Sequence, residues 1–333
     1  MKLLAALLFA TSMFAQSWIA QASNTRASLR GISAVDAHTA FASGSGGTWL
    51  VTTDGGTTWR ANKVAGAERL DFRGIRAIDA RTVFLMSAGS GDLSRIYKTT
   101  DAGEHWTLLF TNPEAKGFFD SIAFWDARRG IVVGDQLEGR AEIRTTEDGG
   151  ATWQRRDPPA GLPNEGSFAA SNSCLALWGK KEVWFATGGP GAARVFHSKD
   201  AGHTWTVAPT PMRNDGAASG IFSITFTDAR HGMVVGGDYS KDKEDRQNIA
   251  TTADGGRTWT TPTARPAGFR SAAVFVPAHK LWIVTGTSGS DSSTDGGKTW
   301  KLFDSGAYNA MSFVKSGDGW AVGPQGRIAR FQR

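Results

Sequence analysis

Only one cysteine, Cys174, stands in the 333-residue sequence, so no disulfide can form within the chain. A lone thiol of this kind reads as a small buried apolar residue. Amphipathic helical periodicity is nearly absent, which leaves an all-β chain as the expectation. Past Phe14 no apolar run is long enough to cross a bilayer. The six histidines (His38, His105, His197, His203, His231 and His279) are scattered without ligand spacing, so no metal is expected. There is no phosphate loop or dinucleotide fingerprint, and no cofactor is expected. Nor is there an aromatic platform with interleaved basic residues, which argues against nucleic acid. The formal net charge of +6 is modest, and Lys and Arg are spread along the chain. That balance suits a site for acidic groups.

What the sequence does contain is a repeat. Thr52-Thr53-Asp54-Gly55-Gly56-Thr57-Thr58-Trp59 returns in near-intact form around Asp101, Asp148, Asp200, Asp254 and Asp295. The closing tryptophans are Trp59, Trp106, Trp153, Trp205, Trp259 and Trp300, spaced by 47, 47, 52, 54 and 41 residues. A unit of this size implies a solenoid or a propeller. Asp-x-Gly between β-rich runs is turn chemistry: the carboxylate accepts backbone N–H bonds, and Gly takes a positive φ. Each copy therefore caps a hairpin, with its Trp opening the outgoing strand. These copies resemble the Asp-boxes of sialidases, some secreted glycosidases and several non-enzymatic propellers. In those families the box sits away from the active site, so the six Asp and six Trp residues are assigned structural roles.

At the N-terminus, Met1-Lys2 and the apolar run Leu3 to Phe14 describe a secretory signal peptide. The expectation is an exported protein, periplasmic or extracellular, with residues 1–15 removed and a propeller over 16–333. Ala20-Gln21-Ala22 fits the small-x-small cleavage rule better than Ala15. The strand pattern favours Ala15, because cleavage after Ala22 would delete a strand at Trp18.

That strand matters for closure. Units of four strands run from Leu29 to Trp300, each holding one Asp turn between its third and fourth strands. The last unit has three strands, at 309–313, 319–323 and 327–331, and then the chain stops. The strand at Trp18 would complete it. The expectation is a single seven-bladed β-propeller of four-stranded antiparallel blades, closed by the N-terminal strand in the C-terminal blade. The 318 residues after position 15 give about 45 per blade.

The longest loops, 158–168 and 238–247, fall on the face opposite the Asp turns, where binding residues concentrate. The residue expected just before each innermost strand gives the series Arg30, Arg73, Asp120, Asn172, Phe222, Arg270 and Asn309. Arg30, Arg73 and Arg270, with Asn309 between them in the ring, form a candidate anion-recognising patch, since guanidinium forks suit carboxylates. The plainer alternative is surface arginines paired with acids such as Asp71 and Asp120. A hydrolytic alternative uses Asp135 and Asp238 as paired carboxylates with Tyr308 nearby.

Over residues 16–333 the chain resembles the photosystem II stability/assembly factor family of propellers and its bacterial homologues. The resemblance lies in Trp18 and Leu29-Arg30-Gly31-Ile32-Ser33-Ala34-Val35-Asp36, in Asp126-Ala127-Arg128-Arg129-Gly130 and Asp228-Ala229-Arg230-His231-Gly232, and in Gly319-Trp320-Ala321-Val322-Gly323 with Gly326-Arg327-Ile328. It implies a non-enzymatic, monomeric scaffold whose arginine-bearing face contacts a protein partner, such as a membrane-protein assembly intermediate, with Arg30, Arg73 and Arg270 at the contact. The second function class is an Asp-box glycoside hydrolase acting on a glycan.

Overall fold

A computed structural model describes residues 16–333; the signal peptide expected over 1–15 lies outside the described residues. Strand-forming runs separated by turns pair in chain order into seven antiparallel sheets, arranged as a seven-bladed β-propeller. Blade one is typical: Leu29–Ala34 innermost, then Ala40–Gly44, Thr48–Thr52 and Arg60–Lys63 outermost. Its first three strands are nearly all buried, and its outer strand is mostly exposed. The core lies between neighbouring blades. One cluster joins Phe41, Trp49 and Val51 of blade one to Phe72, Ile75 and Leu85 of blade two.

Blade seven combines the two ends of the chain. Ser17–Gln21 pairs antiparallel with Ile328–Gln332, placing Trp18 opposite Phe331. Trp18 packs against Phe303, Tyr308, Phe313 and Phe331, with ring centroids 5.4–6.2 Å apart. Its indole N–H donates to Ser290 Oγ at 3.0 Å, tying the seam to blade six.

Blade five departs from the pattern. It has three regular strands, Ser219–Phe226, Gly232–Asp238 and Ile249–Thr252. After Trp259 only the isolated bridge Thr251–Thr260 forms. The next residue of that ladder, opposite Ile249, would be Pro262, which has no N–H to give.

The six Asp turns share one hydrogen-bond set, with His105 in the place of the second threonine at Asp101. At the first, Thr52 Oγ1 donates to Asp54 Oδ1 and accepts from Gly56 N–H. Thr58 donates its N–H to Asp54 Oδ1 and its hydroxyl to Oδ2, at 2.9 and 2.6 Å. These bonds to the charged form hold the Asp54 carboxyl down at about 2. Asp148, Asp200 and Asp295 sit at about 2 for the same reason, and Asp101 and Asp254 are also lowered. The turns lie beside the hairpins joining first and second strands, as Gly55 N–H bonded to His38 O shows. They are therefore on the opposite face from the starts of the innermost strands.

Candidate functional site

On that other face the central channel opens into a pocket of about 490 Å³. Its residues come from a repeated backbone device. In blades one, two and three the innermost strand carries a bulge one residue from its start, and in blade five three residues from it. The extra residues are Arg30, Arg73, Asp120 and Phe222, and all four line the pocket. A bulge leaves one residue out of the ladder and re-aims its side chain. Here it turns one side chain per blade towards the axis.

Arg30 and Arg73 stand side by side on neighbouring blades. Arg73 Nε donates to Asp71 Oδ2 at 2.8 Å, and Arg30 Nε lies 3.9 Å from the same oxygen. Two guanidinium groups thus share one carboxylate, and each remains about a quarter exposed. Burial and the neighbouring Arg73 charge lower the Arg30 pKa, with Asp71 opposing them. Asn309 also lines the pocket, but its amide donates to Leu29 O at 2.8 Å and fastens blade seven to blade one.

Arg270 is not part of this group, which corrects the expected three-arginine patch. It is completely buried and paired with Asp291 through both Nε and Nη2. Its remaining bonds go to Phe269 O, Ser288 Oγ and Ala267 O. The cause is register. In blades one, three and five the residue before the bulge (Leu29, Phe119, Ile221) faces a glycine (Gly44, Gly134, Gly236), and the next residue turns inward. In blade six the residue packed against the corresponding Gly286 is Arg270. Ser271 follows it, lines the pocket, and donates to Asn309 O. Asn172 likewise does not face the pocket: its side chain bonds both N–H and C=O of Ile122 and stitches blade four to blade three.

The three residues of the hydrolytic alternative are not brought together. Asp135 lines the pocket and accepts from Ser167 N–H at 3.2 Å. Asp238 is buried, accepts from Ser240 N–H and hydroxyl, and pairs with Arg213 at 3.4 Å. Tyr308 is buried in the seam beneath Trp18, with Arg327 over its ring at 5.7 Å. Burial pushes its hydroxyl pKa up. The carboxyl beside Asp135 is Asp120 instead. Burial, and secondarily the Asp135 charge, hold Asp120 well above the usual carboxylate range. Burial raises Asp135 to about 6.

Opposite the arginines the wall is aromatic, and this half was not anticipated. Phe168 stacks on Phe222 with ring centroids 3.8 Å apart. Phe269 and Tyr239 meet Phe222 edge-on at 4.7 and 6.1 Å. Phe168 comes from the loop 158–168, which bridges Gly166 to Gly188 and, through Gly188, to Gly220. A Cβ at Gly188 or Gly220 would overlap the other glycine and the Phe168 ring, so these two positions leave room for it. Tyr239 begins the 238–247 loop, whose turn Asp238 caps.

Among the described residues one group has metal-ligand spacing, Asp101, Glu104 and His105, on the turn face. Asp101 and His105 there bond each other within an Asp turn. Cys174 is fully buried, and burial raises its thiol to about 12, so it is no nucleophile.

A model of the DUF6242 beta propeller domain matches residues 132–303, just over half of the chain. The chain belongs to the DUF6242 β-propeller family. No curated protein matches this DUF6242 propeller. Solved structures do. One of "YCF48 bound to D1 peptide" is 17% identical with a TM-score of 0.69, covering 95% of each chain. YCF48 from Cyanidioschyzon merolae is 16% identical with a TM-score of 0.62, covering 96% of this chain and 99% of its own. The WD40 propeller domain of Doa1 is 12% identical with a TM-score of 0.67, covering 95% and 97%. At these identities the likeness is one of fold.

Proposed function

We propose that this propeller is an exported, non-enzymatic binding scaffold that assists a membrane or envelope protein complex, and that its channel mouth receives an acidic group of a protein partner. The observation that carries this reading is the pair Arg30 and Arg73, which share the single carboxylate of Asp71 and keep exposed guanidinium surface in a formed pocket. Such forks take a carboxylate in bidentate fashion. The name of one similar fold, YCF48 bound to a D1 peptide, adds support for a peptide partner. The repeated turns fit the Asp-box pattern of bacterial members of the assembly-factor family. The N-terminal run fits a signal peptide cleaved after Ala15, with a monomer in the periplasm or outside the cell.

Affinity capture from the host's own envelope tests this, with the wild type beside Arg30→Glu/Arg73→Glu. A membrane complex held by the wild type and lost by the double variant is the expected result. The same proteins held by both would end the arginine reading.

A second reading, glycan hydrolysis, draws on Asp120 and Asp135. Their pKa values are displaced to different heights in one pocket, as an acid and a base require. It demands turnover of aryl glycosides that Asp135→Asn abolishes.

A further inference from the structure

The aromatic half of the mouth has no part in anion binding, yet it is built with care for position. Phe168 is carried in by one long loop and Tyr239 by another, from different blades, and both come to Phe222. The close approach of Gly188 and Gly220 holds the place of Phe168. Tyr239 is 54% exposed and large, while its loop is anchored from below by Asp238 and by Arg213, which pairs with Asp238 and Glu244. The floor beneath is closed, since Phe222 and Phe269 are each only 2% exposed. An exposed aromatic held on a rigid aromatic floor is an anchor site, because it offers area and little conformational entropy to lose. Across the same pocket stand Arg30 and Arg73 with one carboxylate between them. The mouth is therefore polarised: cationic on blades one and two, aromatic on blades four to six.

We propose that the pocket recognises an extended peptide segment in which a carboxylate and an aromatic side chain lie close together, the carboxylate on Arg30 and Arg73 and the ring against Tyr239 and Phe168. This rests on the anion-binding reading above and adds the second recognition element. Charge complementarity selects the acidic group, and the aromatic wall selects among acidic segments. A peptide acidic throughout meets Asp135 and gains nothing from the wall, and one that is only apolar leaves the arginines bare. The carboxylate can belong to a side chain or to a chain end, and the two differ in a simple assay.

The test is fluorescence anisotropy with labelled hexapeptides in a Gly/Ser background, amidated at the C-terminus, carrying Asp with Phe one, two or three positions away. Companion peptides replace Phe with Ala, replace Asp with Asn, or carry a free C-terminus in place of Asp. The wild type should bind the best Phe/Asp peptide roughly tenfold more tightly than its Ala companion, the scale of one interface anchor. Tyr239→Ala should bring the Phe peptide's affinity down to that of its Ala companion, and Tyr239→Phe should keep the preference. Arg30→Ala should weaken both peptides together. Equal affinity for Phe and Ala peptides, with Arg30→Ala still harmful, would overturn the aromatic element and leave the anion reading standing. Asn peptides that bind as well as Asp peptides would overturn the anion reading and the pairing with it. Binding of no peptide by the folded protein would overturn both.

Discussion

Blades one and six begin alike, with Leu29-Arg30-Gly31 in one and Phe269-Arg270-Ser271 in the other, yet the two arginines have opposite fates. Arg30 occupies a bulge and reaches the channel mouth. Arg270 occupies the place before it, where Leu29 sits in blade one, and is sealed inside blade six with Asp291. Around a strand start, one residue of register changes which side of the sheet a side chain faces. It also changes what a carboxylate partner does: Asp291 neutralises a buried charge, whereas Asp71 is divided between two half-buried ones.

The contrast breaks most visibly at Arg270. Arg270→Ala leaves Asp291 charged and buried without its partner, a loss of about 3–5 kcal/mol. Urea unfolding should show it, and an unchanged midpoint would mean that Arg270 is not sealed in. A smaller effect belongs to Asp135. Its carboxyl sits at about 6 in the fold against 3.8 ordinarily, so its protonated form is the one the fold favours. The stability associated with that group is complete below about pH 3.8 and falls as pH rises through about 6. Asp135→Asn should therefore be more stable than wild type at pH 7.5, by on the order of 1 kcal/mol, and indistinguishable at pH 3.5. Thermal melts at the two pH values check the sign. The smallest change is expected at Arg30, which is half-buried and makes only a 3.9 Å contact to Asp71: Arg30→Ala should alter stability by less than about 1 kcal/mol. Asp71→Asn should sharpen the comparison further. It frees both arginines and should tighten binding of an acidic peptide at low salt, an effect that added salt then erases.

Much of this architecture was legible because it is periodic. Six turns recurring every 41 to 54 residues state a ring, and three strands left over at one end against one at the other state how it closes. The Asp turns could be assigned in advance because their bonds are local, all within a few residues of the carboxylate. Non-local choices were not legible. Trp259 promises a fourth strand in blade five as the other tryptophans do, and it is Pro262, at a position fixed by pairing with Ile249, that stops it. Arg270 reads like Arg30 until its contact with Gly286 is known. The long loops were located correctly, but nothing in their composition says that Phe168 and Tyr239, out of some twenty side chains, turn inward. Asp238 shows the converse: a carboxylate placed like Asp135 at a strand end serves to hold a turn.

The seam at Trp18 has a kinetic side. The strand Ser17–Gln21 precedes its partner Ile328–Gln332 by more than 300 residues. Each other blade is a local meander and can form as its residues appear. Closure has to wait for the last strand, because its partner is so distant in sequence. Until it occurs, Trp18 on one end and Phe313 and Phe331 on the other are uncovered apolar surface, and the stack of blades has two open flanks. Arrival of the final five-residue strand thus closes the two open flanks of the ring, in a single late event.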